Sequence, residues 1–209
     1  PFAMMTRAYM DRYAIGREDF GRICVAQRYN ANHCDHALLG HKQLSLDDYL
    51  AARAVAEPLH LFDCVMPCAG ADGFLVMSES RAAEMKLPFV YLSGAFECFN
   101  AFPQDPIQMR SGWSRYGDAL YKQARTTPAA LDIIETYDDY PVVVMMQLEG
   151  MQLCDEGQAA RYVADHPLTF DSDGPAHNTS GGQLSVGQAG AAGGFLGIVE
   201  AIRQLIQTA

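Results

Sequence analysis

Positive charge is scarce in this chain: 15 lysines and arginines stand against 25 aspartates and glutamates, for a net charge of −10. That balance argues against a nucleic-acid partner and against anionic membrane surfaces, both of which need basic patches. No apolar run reaches the ~20 residues of a membrane span, so no membrane partner is expected either. Cysteine is thinly spread, at Cys24, Cys34, Cys64, Cys68, Cys98 and Cys154. This is not the dense pattern of a small disulfide scaffold, and the expectation is reduced thiols in a cytoplasmic protein. The opening residues lack the pattern of a secretory leader. They also lack an initiator methionine: Pro1 runs straight into a helical pattern, so an N-terminal portion is expected to precede it.

What is present is apolar mass. Of 209 residues 49% are hydrophobic and 19% charged, enough for one large domain with a substantial core. Helical spacing predicts a helix over 3–13 with Met4, Ala8 and Tyr9 inward, closed by Gly16 as a C-cap. A second helix runs from Arg17 to about Tyr29, and a third starts at Ser45 as N-cap with acids in its first turn. His33, Cys34 and His36 match no structural zinc spacing, so a solvated loop without metal is expected. A turn at 69–73 leads to a predicted strand Phe74–Met77, a helix over 80–86 and a strand over 88–93, the pattern of a parallel crossover unit. Residues 94–111, rich in Phe and Pro, read equally as a lid or as a packing loop. A helix over 113–124 follows.

Two stretches carry residues suited to chemistry. In the first, 132–136 reads as a strand that delivers Tyr137, Asp138, Asp139 and Tyr140 to its carboxyl end, before Pro141 opens an apolar helix over 142–148. Ligands bind at the carboxyl ends of strands in parallel α/β sheets. Phenols and carboxylates there supply proton donors and acceptors together. The competing reading is a polar turn in which one aspartate caps a helix. The second stretch, 177–194, holds six glycines among eighteen residues and no charge apart from His177. It runs into a helix over 195–206 with Leu196, Val199, Ile202, Leu205 and Ile206 on one stripe. Small polar residues leading into a helix point backbone N–H groups at whatever lies above the turn. A flexible linker is the plainer reading.

Asp72-Gly73 ahead of an apolar segment, Glu135-Thr136-Tyr137-Asp138-Asp139-Tyr140, and Asn178-Thr179-Ser180-Gly181-Gly182 with Gly187-Gln188 together resemble the C-terminal half of the thiolase superfamily. The nearest type is the sterol-carrier or lipid-transfer thiolase-like protein. The resemblance covers essentially the whole chain. It implies an α/β fold, the layered αβαβα thiolase-like sandwich. Residues 1–90 would finish the N-terminal half with its loop subdomain, and 91–209 would form the C-terminal domain. It also implies a homodimer acting on acyl-CoA, with the coenzyme A thioester as substrate rather than a tightly bound cofactor.

The chain departs from that family where the chemistry sits. Members of this type carry His-Asp-Cys-Phe where Tyr137-Asp138-Asp139-Tyr140 stands, and Gly-His-Pro where Gly187-Gln188-Ala189 stands. The nucleophilic cysteine of the family belongs to the first half, and no cysteine follows Cys154 here. Sulfur transfer needs a thiolate and bases to serve it, and Gln188 can donate a hydrogen bond but cannot act as a base. A related branch is similar to this pattern: thiolase-like aldolases that cleave side chains from steroid-type acyl-CoA thioesters, with tyrosines for histidines and a partner subunit carrying an OB-fold domain. That likeness makes Tyr137, Asp138 and Gln188 the catalytic candidates. Tyr137 would be an acid/base group with its pKa lowered or with a neighbour relaying the proton, Asp138 or Asp139 would orient it, and Gln188 with loop N–H groups would stabilise an enolate. His177, Asn178, Ser180, Gly181, Gly182 and Gly187 are the substrate-binding candidates, His177 being either a base or a structural histidine. Two other readings stay open: a conventional acyl-CoA C-acyltransferase whose cysteine lies in the N-terminal half, and a non-catalytic lipid-thioester-binding subunit. Half a sandwich would also expose Phe74–Met77 and Val90–Leu92, so poor solubility in isolation is expected.

Overall fold

The computed structural model describes residues 1–190 and 193–207; Ala191 and Ala192, inside the glycine-rich stretch, lie outside the described residues. In order the chain forms α1 (Phe2–Tyr13), α2 (Arg17–Ala31), α3 (Leu46–Ala51), β1 (Ala54–Ala56), β2 (Leu59–His60), α4 (Glu79–Met85), α5 (Trp113–Ala124), β3 (Ile133–Ile134), α6 (Pro141–Gly150), α7 (Ala159–Asp165), β4 (Ala176–His177), α8 (Gly182–Val186) and α9 (Gly194–Leu205). β1 and β2 pair antiparallel. β3 and β4 pair parallel, Ile133 beside Ala176 and Ile134 beside His177. No helix among the described residues is long and apolar enough to cross a membrane.

The core is built on α2, which packs against α3, α6, α7 and α8. Ile23 and Cys24 of α2 meet Tyr49 of α3, Val142, Met145 and Leu148 of α6, and Leu184 of α8 in one buried cluster, so residues on both sides of position 90 share a core. Pro141 fits the first turn of α6, where its missing N–H costs nothing. At the end of α2, Asn30 is fully buried. Its amide donates to the carbonyls of His177 (2.8 Å), Asn178 (3.2 Å) and Leu168 (3.2 Å), and its Oδ1 accepts from the Phe170 N–H (3.0 Å). Asn30 thereby pins α2 to the loop that follows β4. Asn30→Leu, which orphans these groups, is expected to cost about 2–4 kcal/mol, read as a lowered midpoint in urea unfolding at constant slope.

Several sequence expectations need correction. α1 ends on Ala14, which takes the left-handed conformation (φ 53°) and returns its N–H to the Met10 carbonyl, while Gly16 serves as N-cap of α2. Met4 faces outward and Tyr9 inward. No turn forms at 69–73, and neither 74–77 nor 88–93 is a strand, although α4 lies between them. A strand exists only where a neighbour takes its N–H and C=O groups, and among the described residues no strand pairs with either stretch. Both lie exposed, with Leu75, Val76 and Leu92 among the most exposed large side chains. The expected strand over 132–136 is likewise only two residues long. Leu205 points to solvent, and α9 buries Glu200 instead. The aromatic stretch 94–111 packs on α5, with Phe96 edge-on to Trp113 (5.5 Å between centroids).

Candidate active site

β3 and β4 end side by side, and the segments leaving them build one site. Asn178 joins the two. Its N–H reaches the Ile134 carbonyl (3.0 Å) and its Oδ1 takes the Thr136 N–H (2.8 Å). On the other side of the segment, Gln147 of α6 accepts from the Tyr137 N–H (3.0 Å) and donates to the Tyr137 carbonyl (2.7 Å). The backbone of Tyr137 is therefore fixed while its side chain stays partly exposed.

Asp138 turns the opposite way. It is buried, and its two carboxylate oxygens accept the backbone N–H groups of Gln183 (2.9 Å) and Leu184 (3.0 Å) at the start of α8. Desolvation outweighs these bonds and pushes its pKa up to about 6. Gly182 has to be glycine here: its φ is +60°, and a Cβ would run into the Asp138 carboxylate. Asp138 is thus the helix-capping aspartate, and Asp139 is the one that faces the site.

Gln188 is held by its main chain against residues 66–68, its N–H on the Met66 carbonyl (2.9 Å) and its carbonyl on the Cys68 N–H (3.0 Å). Gly187 makes the approach possible: at φ +110°, a Cβ would lie 2.7 Å from the Cys68 sulfur. The Gln188 amide nitrogen sits 2.8 Å from Asp139 Oδ1, 3.0 Å from Gln183 Oε1 and 3.3 Å from Tyr137 Oη. It has two protons for these three oxygens. The Gln183 amide nitrogen is directed at Asp138 (3.4 Å), which leaves its oxygen facing Gln188. Partial burial raises the Tyr137 pKa, and the charges of Asp139 and Asp138 raise it further, against a smaller lowering by Gln188. The expected lowering is reversed: Tyr137 remains a protonated phenol at neutral pH, a donor rather than a base.

The substrate-binding candidates sit deeper. His177 is fully buried, with Nε2 2.9 Å from Thr136 Oγ1 and no partner at Nδ1. Desolvation holds its pKa down at about 3, so the ring is neutral. Asn178 and Ser180 are equally buried, and Gly181 closes against α2 at Gln27 and Ala31. These residues form the floor that positions Tyr137 and Gln188. Beside Tyr137 opens a groove of about 1200 Å³, lined by Glu135, Val76, Leu92, Leu196 and Ile202 among others. Among the described residues no group of three or more His, Cys, Asp or Glu could hold a metal ion.

Gln147, Gln183 and Glu135 were not anticipated. Glutamines on helices carry no motif, and Glu135 differs from its neighbours only in its phase along the strand end.

A sequence model of the family described as "Thiolase C-terminal domain-like" matches residues 100–209. The chain is 32% identical over 208 residues to the steroid side-chain-cleaving aldolase of Thermomonospora curvata, covering 96% of this chain and 52% of that protein. It is 31% identical over 210 residues to the 17-hydroxy-3-oxo-4-pregnene-20-carboxyl-CoA lyase of Mycobacterium tuberculosis (97% and 53%). To an acetyl-CoA acetyltransferase of Methanocaldococcus jannaschii it is 28% identical over 212 residues (99% and 54%). The chain spans about half the length of these relatives. Among solved structures it superposes on the Ltp2-ChsH2(DUF35) aldolase with a TM-score of 0.83 at 27% identity, covering 99% of this chain and 55% of that one.

Proposed function

Because the chain belongs to the thiolase C-terminal domain-like family and has a thiolase-like α/β fold, we propose that it carries the acid/base half of an enzyme that breaks a carbon–carbon bond in an acyl-CoA thioester, by retro-aldol cleavage of a lipid- or steroid-type side chain. The observation that carries this reading is the meeting of Tyr137 and Asp139, beyond the end of β3, with Gln188, which follows α8. In this reading Asp139 takes the proton of the substrate's β-hydroxyl. The Cα–Cβ bond breaks as the carbonyl forms, and its electron pair passes to the thioester as an enolate. The Tyr137 hydroxyl and the Gln188 amide donate to the enolate oxygen, and the proton held on Asp139 returns to Cα. Atoms and charge balance with no co-reactant. The apolar groove beside Tyr137 suits a bulky acyl group. A homodimer and an OB-fold partner subunit belong to the same proposal, as does the division at residue 90, across which the two parts share a core.

Incubating the purified protein with a β-hydroxyacyl-CoA should release a ketone and a shortened acyl-CoA. Gln188→Ala is expected to slow that release about 10²-fold. The identity to an acetyl-CoA acetyltransferase favours a second reading, acyl transfer. Thiolysis of a 3-oxoacyl-CoA by free coenzyme A, with no cleavage of the hydroxy substrate, would establish it instead.

A further inference from the structure

Below Tyr137, on the same side of the strand end, Glu135 and Glu200 of α9 approach the hydroxyl of Thr179. Thr179 Oγ1 lies 2.7 Å from Glu200 Oε1 and 3.2 Å from Glu135 Oε1, and the Thr179 N–H is 3.2 Å from the same Glu135 oxygen. A hydroxyl has one proton to give. The shorter contact assigns it to Glu200, whose carboxylate is also met by the Gln204 amide (3.0 Å) and by the Arg203 guanidinium (3.5 Å). The remaining contact between two oxygens, Glu135 to Thr179, gains a proton of its own when Glu135 is the donor. We infer that Glu135 is a neutral carboxylic acid that donates to Thr179, which donates to Glu200, and that this chain of two hydrogen bonds makes Glu135 a positioning residue for the Tyr137–Gln188 site.

Burial supports the assignment, since desolvation, together with the nearby charges of Glu200 and Asp138, pushes the Glu135 pKa up to about 8. The charged groups that face the pair are Glu200 and Arg203 from α9 and Asp138 from the β3 side, with His36 of the 33–41 loop against Arg203. Glu79 lines the same groove. The link to the site runs along α9. Glu135 packs on Gly197, where a Cβ would stand 3.0 Å from its own Cβ. One turn earlier, Gly193 at the N-cap of α9 touches both Gln183 Oε1 and the Gln188 side chain, leaving no room for a Cβ. Once Glu135 ionises, two carboxylates oppose each other across one hydroxyl, and the contact between α9 and the β4 loop weakens. Gly193 of the same helix adjoins the Gln188 side chain, so the change reaches that side chain while its main chain stays on residues 66–68.

The test does not depend on the reaction proposed above. In protein labelled with ¹³C at glutamate carboxyl carbons, Glu135 should titrate near 8, and the Gln188 side-chain amide resonances should move with the same midpoint. In Glu135→Gln, which keeps an acceptor for the Thr179 N–H, the Gln188 resonances should stay at their low-pH positions across that range. A Glu135 carboxyl already ionised at pH 6 would overturn the inference. So would Gln188 resonances that stay fixed in the unaltered protein, or that shift equally in the variant. Should Glu135→Gln fail to fold, the two titrations in the unaltered protein decide the matter alone.

Discussion

Tyr137→Phe is expected to lower turnover of a β-hydroxyacyl-CoA about 10²–10⁴-fold, the range of a lost acid/base group, with little change in KM or in the thermal midpoint. The phenol oxygen is the part of Tyr137 offered to a ligand. Its backbone is clamped independently by Gln147, so removing the hydroxyl leaves the segment in place. The only described bond lost is the long one from Gln188, whose amide keeps Asp139 and Gln183. Because burial and the neighbouring aspartates raise the Tyr137 pKa, the phenol is a donor through neutral pH. The pH profile should then carry an alkaline limb where the phenol ionises, above the pH at which Glu135 titrates, and Tyr137→Phe should abolish that limb. Turnover within about threefold of the unaltered protein would remove Tyr137 from the chemistry and favour acyl transfer or a silent binding subunit.

Asp138→Ala carries the second large effect, and it falls on stability. Two backbone N–H groups at the start of α8, those of Gln183 and Leu184, depend on this carboxylate and are themselves buried. Leaving both without an acceptor costs about 2–6 kcal/mol, at ~1–3 kcal/mol for each of the two orphaned donors. Asp138→Asn fares little better, because its NH₂ group would face the Leu184 N–H. The pH dependence separates this from a generic loss. Asp138 has its folded pKa raised to about 6, so the stability it contributes is greatest below the ordinary carboxylate range and declines as pH rises through 6. His177, held down to about 3, has the opposite sign: the folded state loses stability as pH falls from the ordinary histidine range toward 3. Chemical unfolding between pH 4 and pH 8 should show the Asp138 decline vanish in Asp138→Ala while the acidic loss from His177 persists. A variant whose stability follows the original curve at every pH would show that Asp138 does not hold α8.

The helices were largely legible in the sequence. Their apolar spacing is a local property, and caps such as Ser45, whose side chain takes the Asp48 N–H, announce themselves. The meeting of Tyr137 with Gln188 was legible too, through the resemblance that puts both where the family carries histidines. What could not be read is the phase of 135–140. In extended backbone neighbours point to opposite faces, and nothing local says that Asp138 goes inward to α8 while Asp139 goes outward to Gln188. Pairing was equally hidden. Phe74–Met77 has the composition of a strand, but strand formation is decided by a distant backbone. Glu200 reads as a solvated charge on an amphipathic helix and is instead buried, its carboxylate committed to Thr179.

Gln188 divides two protons among Asp139, Gln183 and Tyr137, and of these three partners only the phenol carries a proton of its own. The contact to that phenol is also the longest, so it is the one an incoming acceptor displaces at least loss. An oxygen seated between the two side chains then meets two donors at once, released from each other by its arrival.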